Sequence, residues 1–168
     1  YDLWASFGDN SGYDTKDPEI RIVNSTIADN QVNPVNTSTP SSNYDAAGIY
    51  RYTSSYDAVI FNSIMYGNTT STGNVTPSTV NMSTAGSGWG TSNSEVDYSL
   101  IQYASDAGID EDNILSSDPN FSAGATVYTL SAASRAIGAG TATFESITAP
   151  LYDYANTVRP VPTGSSPD

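Results

Sequence analysis

The chain has 168 residues, enough for one domain, and its 5 Lys and Arg stand against 18 Asp and Glu for a net charge of −13. That balance argues against a nucleic-acid partner and against docking on an anionic membrane, since both need a basic face. No stretch is long and apolar enough for membrane insertion, and the absence of Cys and His removes disulfides, thiol chemistry, imidazole bases and the commonest zinc ligands together.

Residues 1–19 begin with Leu3-Trp4-Ala5-Ser6-Phe7, where Leu3, Ala5 and Phe7 share one face of a strand by period two. Residues 20–32 contain Asn24-Ser25-Thr26-Ile27-Ala28-Asp29-Asn30, preceded by Ile20, Ile22 and Val23. The breaker-rich run 33–46 reads as a loop. Residues 47–56 read as a strand, with Ile49, Arg51 and Thr53 on one face and Tyr50 and Tyr52 on the other. The first motif then returns after 38 residues as Asn62-Ser63-Ile64-Met65-Tyr66-Gly67-Asn68, again behind an apolar run, Val59-Ile60-Phe61. Residues 69–94 are polar and Gly-rich and read as a long loop or an expanded turn. A third, weaker copy is Val96-Asp97-Tyr98-Ser99-Leu100-Ile101, with Tyr98 in the place of the first Asn. An acidic loop (105–120), a short strand (126–130), a helical turn (132–140) and an irregular tail follow.

Strands at short regular spacing would suit an antiparallel sandwich. They would not explain why one motif returns after 38 residues in the same strand context. Stacked supersecondary units do explain it. The expected fold is therefore all-β, a right-handed parallel β-helix solenoid of three rungs with an irregular closing segment. Residues 1–125 supply the rungs and 126–168 the closing segment of the same domain. Asn24 and Asn62 are expected to stack at a sharp bend and form an amide ladder, because Asn tolerates left-handed backbone angles. The buried column is expected to hold Ile22, Ile27, Ile60, Ile64, Leu100 and Ile101.

Beyond the rungs, Ala58–Asn68 and Val96–Gln102, an ordered series follows: Asp118-Pro119-Asn120-Phe121, Tyr128-Thr129-Leu130, Ser134–Gly140 and Pro150-Leu151-Tyr152-Asp153 with Arg159-Pro160. Over residues 20–168 this resembles the closing region of bacterial pectate-lyase-like β-helix proteins of the choice-of-anchor Q type. Arg135 and Gly138 stand where the family has Pro and Asp, and Asn156 stands where it has Gly before the Arg-Pro pair. The family's following Ile-Gly-Ala strand is not reached by Asp168. The resemblance and the uncapped start lead to the expectation of a piece cut from a longer protein. Its Ser-, Thr- and Asn-rich, disulfide-free composition reads as bacterial and exported, extracellular or at the cell surface.

Three chemistries can be weighed on this frame. The fold is shared by polysaccharide lyases and hydrolases, and Arg51, flanked by Tyr50, Tyr52 and Tyr56, is the best-placed cation for a lyase. It lacks a nearby run of acids, and the strands carry no converging carboxylates for a hydrolase. Two acidic runs offer hard-cation ligands for calcium, the only cofactor the sequence suggests: Asp9, Asp14 and Asp17, and Asp106, Asp110 and Asp112. Both also read as solvated acidic turns. Tyr50, Arg51, Tyr52, Tyr56 and Trp89 could form a glycan-binding face, because flat aromatic rings with polar edges suit a pyranose. The same tyrosines are ordinary strand residues.

The leading expectation is a non-catalytic structural or adhesive segment of a large exported surface protein. Its partners would be further rungs of the same protein or neighbouring subunits. The alternatives are the C-terminal part of a polysaccharide lyase or hydrolase, and a carbohydrate-binding module.

Overall fold

A computed structural model describes residues 20–32, 47–51, 58–70, 82–84, 94–104, 109, 113–123, 128–153 and 156–159. The strands are β1 (Ile20–Val23), β2 (Thr26–Ala28), β3 (Gln31–Val32), β4 (Ile49–Arg51), β5 (Ala58–Phe61), β6 (Ile64–Tyr66), β7 (Thr69–Thr70), β8 (Met82–Thr84), β9 (Ser94–Asp97), β10 (Leu100–Ile101), β11 (Thr143–Phe144) and β12 (Ile147–Thr148). The described residues are all-β, with no helix and no closed barrel.

The three copies of the motif lie in parallel register. One sheet has the order β1-β5-β9 and a second the order β2-β6-β10. Ile22 pairs with Ile60, which pairs with Val96, and Ile27 pairs with Met65, which pairs with Ile101. Smaller parallel pairs, β3 with β7 and β4 with β8, continue the same tiers. Leu115 adds a fourth position to the second sheet through a parallel bridge to Leu100.

Alternation along each strand decides what the sheets enclose. Ala58 and Ile60 from one sheet meet Met65 and Ile101 from the other, with Ala104, Ile109 and Ile114 completing the buried cluster. Ile20, Ile22, Ile27, Ile49 and Val96 pack around it. Of the expected column, Ile60 and Ile101 are fully buried and Ile22 and Ile27 are half-buried around them, whereas Leu100 and Ile64 lie on the opposite face of the second sheet, the first buried and the second half-buried. Phe61 points to the opposite face of β5 and is nevertheless fully buried. The reason is the β11–β12 hairpin, whose Phe144 ring lies 5.7 Å from that of Phe61.

Several sequence expectations need correction. The polar run 69–94 is not all loop, since it holds β7 and β8. These strands are short and carry no apolar alternation, so their signal is the partner strand rather than their own pattern. The acidic loop is not simply solvated, because Ile109 and Ile114 within it are buried. Residues 132–140 form successive tight turns, closed by Ser134 N–H to the Ser131 carbonyl and Ala139 N–H to the Ala136 carbonyl, rather than a helical segment. Of the expected strand 126–130, residues 126 and 127 lie outside the described residues, and Leu130 makes an isolated antiparallel bridge to Phe121.

Candidate functional site

Two bends per tier organise the surface. At the first, Asn24, Asn62 and Tyr98 occupy equivalent positions with φ of 50°, 51° and 46°. At the second, Asp29, Gly67 and Tyr103 do the same with φ of 53°, 70° and 64°. Left-handed backbone is costly for most L-residues and is tolerated best by Gly, Asn and Asp. Tyr98 is held there by its neighbours. Its N–H donates to Asp97 Oδ1 at 2.9 Å, and its ring meets Phe144 edge-on at 5.8 Å.

The residue after the first bend forms a serine ladder. Ser25 N–H donates to Ser63 Oγ at 3.3 Å, and Ser63 N–H donates to Ser99 Oγ at 3.1 Å. Each hydroxyl in turn donates to the carbonyl two residues earlier: Val23, Phe61 and Asp97, at 3.0, 3.0 and 2.9 Å. An asparagine ladder follows the second bend. Asn68 Oδ1 accepts both the backbone N–H and the Nδ2 of Asn30, at 3.0 and 2.9 Å, while its own Nδ2 donates to the Ile27 carbonyl at 2.9 Å.

The ladder expected between Asn24 and Asn62 is not formed. The Asn62 amide turns instead to the closing segment, donating to the Thr141 carbonyl at 2.7 Å and accepting the Thr141 N–H at 2.8 Å. Asn24 Nδ2 and Oδ1 are buried without a hydrogen-bond partner. The two-point bond to Thr141 uses both ends of the Asn62 amide, whereas a single amide–amide contact with Asn24 would use only one of them. Between the first bend and the closing segment lies a cavity of about 400 Å³, whose lining includes Asn24, Leu115, Tyr128, Leu130, Ile137 and Arg159.

The second bend carries a face of phenols and carboxylates that the sequence reading missed. Tyr103 and Tyr128 are 42 % and 46 % exposed, enough to offer ring surface to a ligand. Tyr128 stacks edge-on against Phe121 at 5.0 Å, and its hydroxyl approaches the Ala28 carbonyl at 3.4 Å. Burial, the Asp118 carboxylate, Tyr103 and Asp29 push the Tyr66 phenol above its ordinary pKa. Burial, then a hydrogen bond and charge from Asp29, do the same for Tyr128. Gly67 leaves a gap in this face that the Asp29 carboxylate overhangs, and a methyl there would run into it. The available signal was the column itself, since Asp29, Gly67 and Tyr103 follow from the same repeat as Asn24 and Asn62.

Of the residues singled out for glycan or metal binding, Tyr50 and Arg51 alone lie among the described residues. Tyr50 and Arg51 lie in β4, paired in register with Ser83 and Thr84. Tyr52, Tyr56 and Trp89 lie outside the described residues, as do Asp9, Asp14, Asp17, Asp106, Asp110 and Asp112. Among the described residues no group of three or more acidic side chains stands ready to hold a metal. In the closing series, Gly138 and Asn156 both have left-handed φ, 71° and 63°, which accounts for the residue types at those turns.

No family model matches the chain, and neither a curated protein nor a solved structure matches it.

Proposed function

We propose that the chain is a non-catalytic segment of right-handed parallel β-helix that serves as a rigid stalk or adhesive element of a large exported bacterial surface protein. The observation that supports this most is the shared register of three tiers across two sheets, fastened by the serine ladder. Parallel strands joined by long crossovers take the right-handed path almost without exception, and stacked tiers with one continuous core transmit load along their axis. The closing segment, which resembles the choice-of-anchor Q region, covers the first bend through Thr141 and Phe144. The exposure of Tyr103 and Tyr128 beside Asp29 and Asp118 favours a second reading, neutral-glycan binding in the service of adhesion.

One set of experiments tests both readings. The chain is incubated with pectin, polygalacturonate and neutral polysaccharides, with and without Ca²⁺, and then passed over the same polymers immobilised. The scaffold reading expects no depolymerisation, and any chain-dependent shortening of polymer would overturn it. Retention on a neutral polymer that is lost in Tyr103→Ala would establish the second reading, whereas retention unchanged by that substitution, or none at all, would remove it.

A further inference from the structure

The second bend presents phenol rings and carboxylates on one exposed face. Its column sets Asp29, Gly67 and Tyr103 on successive tiers. Neighbouring strands lie about 4.8 Å apart, so the backbones at Asp29 and Tyr103 stand roughly 9.5 Å apart. Gly67 puts no side chain into that interval, which leaves a recess with a backbone floor. The Asp29 carboxylate leans over it, since a methyl on Gly67 would meet Asp29 Oδ1. The Gly67 N–H is already taken by Gln102 Oε1 at 3.0 Å, so the floor offers an anion nothing. Tyr128 enters from the closing segment. Its hydroxyl reaches the Ala28 carbonyl, one residue before Asp29, and Phe121 braces its ring edge-on. Tyr103 and Tyr128 are both exposed. Asp29 accepts a hydrogen bond from Tyr128, and Asp29 and Asp118 both act by their charge on Tyr66. A carboxylate has about four acceptor positions, so Asp29 keeps most of its capacity. No described Lys or Arg pairs with either carboxylate.

We propose that this face binds a polysaccharide whose sugars carry free amino groups, with a pyranose ring stacked on Tyr103 and its ammonium group paired with the Asp29 carboxylate across the Gly67 recess. This rests on the glycan reading of the same face and adds that an amine raises affinity above that of a neutral sugar. The exposed rings suit the flat apolar side of a sugar, and an aromatic face also attracts an ammonium group. A carboxylate hydrogen-bonds an ammonium more strongly than a neutral hydroxyl. The net charge of −13 draws a cationic polymer and repels an acidic one. A hard divalent cation is a poorer match, because it takes six or more oxygens, usually from clustered carboxylates, and no group of three acidic side chains gathers among the described residues.

The probes are three β-1,4-linked hexamers, of glucose, N-acetylglucosamine and glucosamine, which differ only in the hydroxyl, acetamide or ammonium group at C2. Each is titrated into the full chain by calorimetry at mildly acidic pH, where the sugar amines are charged and the carboxylates remain ionised. Spermine, which has amines but no rings, is the control for charge attraction at near-physiological salt. The expected result is about tenfold tighter binding of the glucosamine hexamer than of the glucose hexamer, from one charge-assisted hydrogen bond. Asp29→Asn should erase that difference and leave the glucose hexamer unaffected, whereas Tyr103→Ala should weaken both. Asn tolerates left-handed backbone as Asp does, so Asp29→Asn is expected to stay folded. Equal binding of the glucosamine and glucose hexamers, a preference that survives Asp29→Asn, or spermine bound as tightly as the glucosamine hexamer would each overturn the proposal. Failure of the glycan reading itself is distinguishable, because then no hexamer would bind, or Tyr103→Ala would bind all three as before, and the proposal would fall with it.

Discussion

Left-handed residues set where this chain turns. The columns Asn24–Asn62–Tyr98 and Asp29–Gly67–Tyr103 repeat an unfavourable conformation at each tier, and at Asn62 and Tyr98 hydrogen bonds and a ring contact offset it. The serine that follows the first column contributes most directly to the stack. Ser63→Ala would strand the Ser25 N–H, whose partner is the Ser63 hydroxyl, and leave the Phe61 carbonyl with the Asn24 N–H alone. A loss of about 1–3 kcal/mol is expected from groups left unpaired in this way. Ser25 receives no N–H from a described neighbour, so Ser25→Ala should cost distinctly less. Urea denaturation of the two variants measures this, and equal losses would mean that the ladder carries no directional bonding.

At the scale of elements, the β11–β12 hairpin is small but well placed. Its Phe144 ring covers Phe61 at 5.7 Å and Tyr98 at 5.8 Å, closing the outward face of the first sheet. Thr143 pairs with Thr148 and Phe144 with Ile147, leaving Glu145 and Ser146 as the two turn residues. Their φ values of 44° and 63° are those of a type I′ turn, which prefers Asn-Gly. Replacing the pair by Glu145→Asn and Ser146→Gly should stabilise the protein by about 0.5–1 kcal/mol, since it removes left-handed strain at both positions. The check is a rise in the denaturation midpoint at unchanged slope. A fall would show that the glutamate or serine side chain itself holds the hairpin.

The whole molecule couples its tiers to its closing segment through the phenol face. Tyr66 sits in the second tier, and Tyr128 in the closing segment reaches back to Ala28 in the first. Both phenols have pKa values raised above 10.0 in the folded state. For a raised pKa the folded form holds its proton more tightly than the unfolded chain does. The stabilisation is therefore complete below pH 10 and is lost as pH rises through the folded values. The melting temperature should fall on going above pH 10, and the double variant Tyr66→Phe, Tyr128→Phe should fall less steeply. Identical alkaline slopes for the two proteins would show that these phenols titrate alike in both states.

The parallel stack was legible in the residues themselves. Asn24 and Asn62, Ser25 and Ser63, and Asn30 and Asn68 stand one tier apart, and a repeat of that kind sets the register before any contact is known. The stacks Ile22–Ile60–Val96 and Ile27–Met65–Ile101 follow from the same period with strand alternation. The amide partners did not follow. Asn24 and Asn62 hold the same place in the repeat, each after two apolar residues and before Ser, and the closing segment separates them by bringing Thr141 to Asn62 across 79 residues. The burial of Ile109 and Ile114, the cover of Phe144 on Phe61 and the gathering of Tyr66, Tyr103 and Tyr128 around Asp29 have the same origin. A periodic contact is written into a sequence many times over, so it can be read there. A contact made once, between segments with no common period, leaves no pattern in either of them, and the packing of the folded chain decides it.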